Sequence, residues 1–267
     1  MNLEEYQQIR RQANKLKRTF MVYQPYRGFA ETVSLKSILQ EGIIGDVYMI
    51  RRNWFEYTRR NDWQSLKKHG GGMLNNYGAH FVDQLLYLTE YNVAKVNSVT
   101  RKLISAGDAE DFVKLLIETE SGIILDIEIN LACPQPLPSW HILGRYGSIL
   151  ADDDGDGWVV KYCEPNNIRN IEVERLLAAE GRVYRKDSDI EWKTRKVHFA
   201  DFDKVDYYQK CYEYFALEKQ PFVSMTDTHE LMRLLDYCSE VSVGNIDQDC
   251  SFDKLMRKPH KYKLVKG

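Results

Sequence analysis

Asn76 and His80 stand four residues apart, directly behind three consecutive glycines, Gly70-Gly71-Gly72. Four residues is one helical turn, so on a helix beginning near Leu74 the two side chains share a face. An imidazole titrates near neutrality, and beside an amide at a helix start it has the chemistry of a general acid or base. A core histidine satisfied by a backbone carbonyl accounts for the same residues. Three glycines in a row are entropically costly and need a reason. Either the chain passes close to another surface there, or a ligand approaches the backbone. Gly72 is the residue such a ligand would meet, with the amides of the helix start facing the same place.

The loop ahead of the glycines carries Trp54, Tyr57, Arg59, Arg60, Asp62 and Trp63. Aromatic faces beside guanidinium groups suit a polyhydroxylated ligand, which offers apolar C–H faces and many hydroxyls. An exposed loop with one buried tryptophan is the plainer alternative. Other chemistries are poorly supported. No G-x-G-x-x-G fingerprint, P-loop or nucleophile elbow is present, and no second carboxylate completes a glycosidase pair. Asp152-Asp153-Asp154-Gly155-Asp156-Gly157 begins like a calcium loop, but Cys163 stands where a bidentate glutamate is required. A tight acidic turn between strands is expected there, and no metal.

The elements that must position these residues follow from periodicity. Leu3, Tyr6, Ile9, Ala13 and Leu16 recur at helical spacing, and Phe20-Met21-Val22-Tyr23 reads as a short buried strand ended by Pro25. A helix from Phe29 to Gln40 stops at Gly42, and a long strand runs from Asp46 to Tyr57. After the helix Leu74–Thr89 come strands at Lys95–Ile104, Asp111–Glu118 and Gly122–Ala132. The last alternates cleanly: Ile123, Leu125, Ile127, Ile129 and Leu131 against Asp126, Glu128 and Asn130. Shorter strands are expected at Trp140–Arg145, Ser148–Ala151, Trp158–Cys163 and Ile190–Phe199. Two helices close the fold, with core stripes Tyr208-Cys211-Tyr212-Phe215 and Leu231-Leu234-Leu235-Cys238-Val241. The expected fold class is α+β: a large, open, mostly antiparallel sheet with helices on one face, and a helix–strand unit in front.

Bulk properties narrow the setting. The 267 residues carry a formal net charge of -2 and are 43% hydrophobic, the balance of a globular protein with no electrostatic pull towards nucleic acid. No apolar run approaches the roughly 18 residues of a membrane helix. Five widely spaced cysteines, with no CxxC pair, fit a reducing cytoplasm rather than a disulfide framework or zinc site.

Taken in order, the phrases EGIIGDVYMIRRNW, NDW, GGGMLNNYGAHFVDQLLYL and VNSVT resemble the Gfo/Idh/MocA family, named for glucose–fructose oxidoreductase and inositol dehydrogenase. The resemblance runs from Leu3 to about Asn245. It implies a substrate-binding domain of the glyceraldehyde-3-phosphate dehydrogenase-like C-terminal kind over residues 26–245, with a tail at 246–267. Residues 1–25 would be the remnant of a Rossmann domain that is otherwise missing, cut just after the family's Glu-Lys-Pro lysine. The family's catalytic histidine falls on His80. Asn76 stands where many members have aspartate, and Asp83 matches a helix aspartate read as structural. Arg27, Trp54, Arg59, Trp63 and Gly72 become the expected substrate contacts. The full-length protein would oxidise a sugar, cyclitol or related polyol with NAD or NADP; this chain would bind no cofactor and be inactive alone. A homodimer or tetramer through the open sheet is expected. Alternatives are an NAD-dependent glycoside hydrolase of the same fold, or a non-catalytic subunit for oligomerisation or ligand sensing.

Overall fold

A computed structural model describes residues 2–91, 93–172 and 189–241. Its framework is an eight-stranded sheet: β1 (Val47–Phe55), β2 (Val93–Arg101), β3 (Phe112–Thr119), β4 (Ile124–Asn130), β5 (Trp140–Gly144), β6 (Gly147–Ala151), β7 (Gly157–Tyr162) and β8 (Lys193–His198). The spatial order is β2-β3-β4-β1-β5-β6-β7-β8. Neighbours pair antiparallel except β1 and β4, which run parallel at the centre with Met49 opposite Ile124 and Phe55 opposite Asn130.

Strict alternation gives the sheet two unlike faces. Val113, Leu115 and Ile117 on β3 and Leu125, Ile127 and Ile129 on β4 are completely buried. They pack against three helices: α2 (Ala30–Glu41), α3 (Ala79–Leu88) and α5 (Met225–Val241). The opposite face carries charge. Lys114 bridges Asp126 at 2.5 Å and Glu128 at 3.0 Å, and Arg51 lies 3.6 Å from Asp126. The α2 helix ends as its sequence dictates, at Gly42 in the left-handed region, φ 68°. The stripe Leu231-Leu234-Leu235-Cys238 is buried on α5. The acidic run 152–156 is the turn joining β6 to β7, and Lys196 pairs with Asp152 there.

Two expectations need correction. The Phe20–Tyr23 segment is extended but joins no strand among the described residues. Instead it lies under α4 (Tyr207–Leu217): the Tyr207 hydroxyl donates to the Val22 carbonyl at 2.8 Å, and the Tyr23 and Tyr207 rings meet edge to face at 4.8 Å. A lone apolar run without a neighbouring strand satisfies its backbone otherwise. The stripe assigned to the core of α4 faces outward, with Tyr208 77%, Tyr212 56% and Phe215 49% exposed. Tyr207, Cys211 and Tyr214 form the more enclosed side, so the helix is turned by one position. The preceding helix, α1 (Leu3–Lys15), begins with a capping box of Asn2 and Glu5. Its buried Tyr6 donates to the Met225 carbonyl at 2.9 Å, tying α1 to α5. The expected tail, and Cys250 within it, lie outside the described residues.

Candidate active site

The helix bearing His80 does not begin as an α-helix. Leu74–Gly78 is a π-helical turn, closed by the Gly78 amide donating to the Met73 carbonyl at 2.8 Å, and α3 follows from Ala79. Asn76 and His80 are held by different partners. Asn76 donates its side-chain amide to Gln64 Oε1 at 3.0 Å, bracing the single 3-10 turn Trp63–Ser65. The partner of His80 comes from elsewhere: Nδ1 lies 2.7 Å from Gln24 Oε1, on the extended segment before Pro25. Sequence spacing held no sign of this long-range contact.

Aromatic rings surround the imidazole. Tyr26 lies 4.8 Å from it between ring centroids, and Phe81 lies 6.1 Å from Tyr26. Trp54, projecting from β1, stacks on Tyr77 at 4.7 Å with 20° between the planes, and Tyr77 reaches Phe81. One cluster therefore joins two of the expected site residues, Trp54 and His80. The Trp54 indole N–H is enclosed and meets no acceptor among the described residues. Beneath the cluster Arg52 is buried, its guanidinium 4.1 Å from the Phe81 ring and 4.8 Å from Trp140. Burial pushes the Arg52 pKa down and Glu31 opposes that shift. A charged residue in phase with Ile50 and Trp54 on an inward-facing strand was the sequence signal for it.

Other expected contacts are placed differently. Arg27 is 2% exposed, with its guanidinium fully engaged. Nε and Nη2 donate to the two Asp83 oxygens at 2.8 and 2.7 Å, and Nη1 donates to Asp227 Oδ2 at 2.8 Å. The Tyr91 hydroxyl joins the same group, contacting both Arg27 and Asp83. Arg27 is thus a core ion-pair residue and has no donor to offer a ligand. Arg59 reaches the Ile104 carbonyl from the surface, and Trp63 stands 58% exposed. Their loop is zipped to residues 105–109 through Arg60 N–H to Ser105 Oγ, Lys67 N–H to Asp108 Oδ1, and Ala109 N–H to the Ser65 carbonyl.

The glycine run has a structural cause. Gly72 has φ +109°, and a Cβ there would stand 2.2 Å from Glu110 Oε1. On Gly71 it would stand 2.4 Å from the Gln64 carbonyl oxygen. The Glu110 carboxylate also accepts from the Leu74 N–H at 3.1 Å, and burial pushes its pKa up. Close chain passage explains Gly72. Gly72→Ala should destabilise the domain by about 1–3 kcal/mol, because φ +109° strains any residue with a Cβ, as measured by urea unfolding.

Burial lowers the His80 pKa, while the Asp83 charge acts in the opposite direction. The unfolded histidine protonates near pH 6.5. The folded one resists until lower pH, so the unfolded state binds more protons in between. Stability is therefore intact above about pH 6.5 and falls as the pH drops towards the folded value. Urea midpoints of His80→Gln, compared with the parent across that window, should lack this part of the acid slope.

An open mixed sheet with helices on one face defines an α+β domain. Residues 32–150 match the GFO/IDH/MocA C-terminal domain. The NAD-binding protein from Listeria innocua is 20% identical and superposes with a TM-score of 0.71, over 90% of this chain and 70% of that one. An oxidoreductase from Bacillus cereus is 12% identical, with TM-score 0.71 over 90% and 69% of the two chains. The super-repressor mutant of Gal80p from Saccharomyces cerevisiae is 14% identical, with TM-score 0.64 over 90% and 67%. Identities this low establish likeness of fold. A sequence search of curated proteins finds no match. Among the described residues, no helix is long and apolar enough to cross a membrane.

Proposed function

We propose that this chain is the substrate-binding domain of an NAD(P)-dependent oxidoreductase acting on a secondary alcohol of a sugar, cyclitol or related polyol. In this reading it is inactive alone, and the dinucleotide is carried by a nucleotide-binding unit separate from the described residues. The observation that carries it is His80: half-buried, set against Tyr26 and held neutral by burial. A neutral imidazole beside aromatic rings can take the proton of an alcohol whose C–H face rests on those rings.

Titration with NADH and with a panel of hexoses and cyclitols tests the division of labour. Polyol should shift the His80 resonances saturably. Saturable micromolar NADH binding to this chain would overturn the reading. A second reading, a ligand-sensing subunit without turnover, is favoured by one observation: Asn76 is spent on Gln64, leaving His80 with an amide partner rather than a carboxylate. It predicts the same polyol binding but no oxidation when a nucleotide-binding partner is supplied. In either reading the outer sheet face joins two copies, with half-exposed Val99 and Leu116 as its apolar contacts. Sedimentation should find a dimer that Leu116→Asp splits.

A further inference from the structure

We infer that Gln24 is the positioning residue of His80: it holds the proton on Nδ1 and leaves Nε2 as the atom that accepts the substrate proton. The inference rests on His80 being the base of the proposed reaction. Gln24 is 4% exposed and its Oε1 lies 2.7 Å from His80 Nδ1. A carbonyl oxygen can only accept, so the nitrogen facing it must carry the hydrogen. The other ring nitrogen then keeps its lone pair, which general-base chemistry requires.

The geometry of this contact is fixed by a second one three residues further along each segment. Gln24 meets His80, and Arg27 meets Asp83 through two hydrogen bonds of 2.8 and 2.7 Å. These are parallel rungs between the same two pieces of chain. The buried ion pair pins the 25–28 turn against α3, and Pro25 stiffens the backbone directly after Gln24. An element outside the helix thus takes the orienting task, while Asn76 bonds to Gln64.

The choice of an amide has a consequence for charge. The groups facing His80 are Gln24 from the extended segment, the Tyr26 ring from the following turn, and Asp83 from its own helix, whose charge is compensated by Arg27. No group facing it from another element is a free carboxylate among the described residues. Gln24 orients the ring without stabilising the imidazolium, so the base stays neutral and ready.

Long-range 15N–1H correlation spectra of the whole chain, with labelled histidine, read the tautomer directly. The parent should show Nδ1–H and a bare Nε2. Gln24→Leu should abolish that preference. Gln24→Glu should restore Nδ1–H and raise the His80 pKa by about 1–2 units, since a carboxylate favours the cation. An Nε2–H tautomer in the parent, or a leucine variant unchanged from it, would overturn the inference. Should Gln24→Leu fail to fold, the near-isosteric glutamate decides: an unmoved His80 pKa sinks the proposal. These measurements use neither substrate nor nucleotide. A chain that oxidises nothing therefore leaves the inference standing, and an active enzyme with the wrong tautomer defeats it alone.

Discussion

Asp83→Ala should destabilise the domain by about 3–5 kcal/mol, the usual consequence of leaving a buried charge without its partner. The Arg27 guanidinium is 1% exposed and its Asp83 partner 0%, so no water can take over. Asp227, 27% exposed, continues to hold one Nη but cannot replace the two-pronged contact. Typical domains are stable by about 5–15 kcal/mol, so a loss of this size should be plain in a urea midpoint. The double variant Arg27→Met, Asp83→Leu removes both charges and should be more stable than either single change. A double variant that is no better would mean that packing, not charge, dominates this site. Because the same pair pins the turn next to Gln24, Asp83→Ala should also blur the His80 ring signals before global unfolding.

His80→Ala should lower kcat/KM for polyol oxidation by about 10²–10⁴-fold, the range for losing a general base, when the nucleotide-binding partner is supplied. The effect should fall on kcat while KM stays close to that of the parent, because the proton transfer belongs to the transition state. For the parent, the acidic limb of kcat/KM should lie below pH 6.5, since burial keeps the imidazole neutral to lower pH. A loss in KM alone would reassign His80 to substrate binding.

How much of this could be read in advance depended on how local each feature is. The alternation of β4 and the stripe on α5 are short-range patterns, and both faces were placed correctly from Leu125, Ile127 and Leu231, Leu234. The Gly42 cap is equally local. His80 was picked out by its type and its setting behind the glycines. Its surroundings were not, because Gln24, Tyr26 and Trp54 arrive from other elements. Asn76 is bonded to Gln64 and His80 to Gln24, two long-range partners that helical spacing does not reveal. Arg27 was expected as a substrate contact from the resemblance alone, and only the fold brings Asp83 and Asp227 around it. The stripe on α4 had the right period, but period alone does not say which side faces inward.

The single parallel pairing at the middle of the sheet has a consequence for how the chain is made. β1 emerges from the ribosome early, yet its partner on one side, β4, and on the other, β5, both follow long after it. Until Asn130 and then Gly144 have left the exit tunnel, β1 exposes both edges together with Ile50 and Trp54. The intervening β2–β3–β4 meander joins neighbours in sequence and can assemble first. Central strands in this topology are therefore inserted late, and the period of greatest exposure to mispairing lies within synthesis.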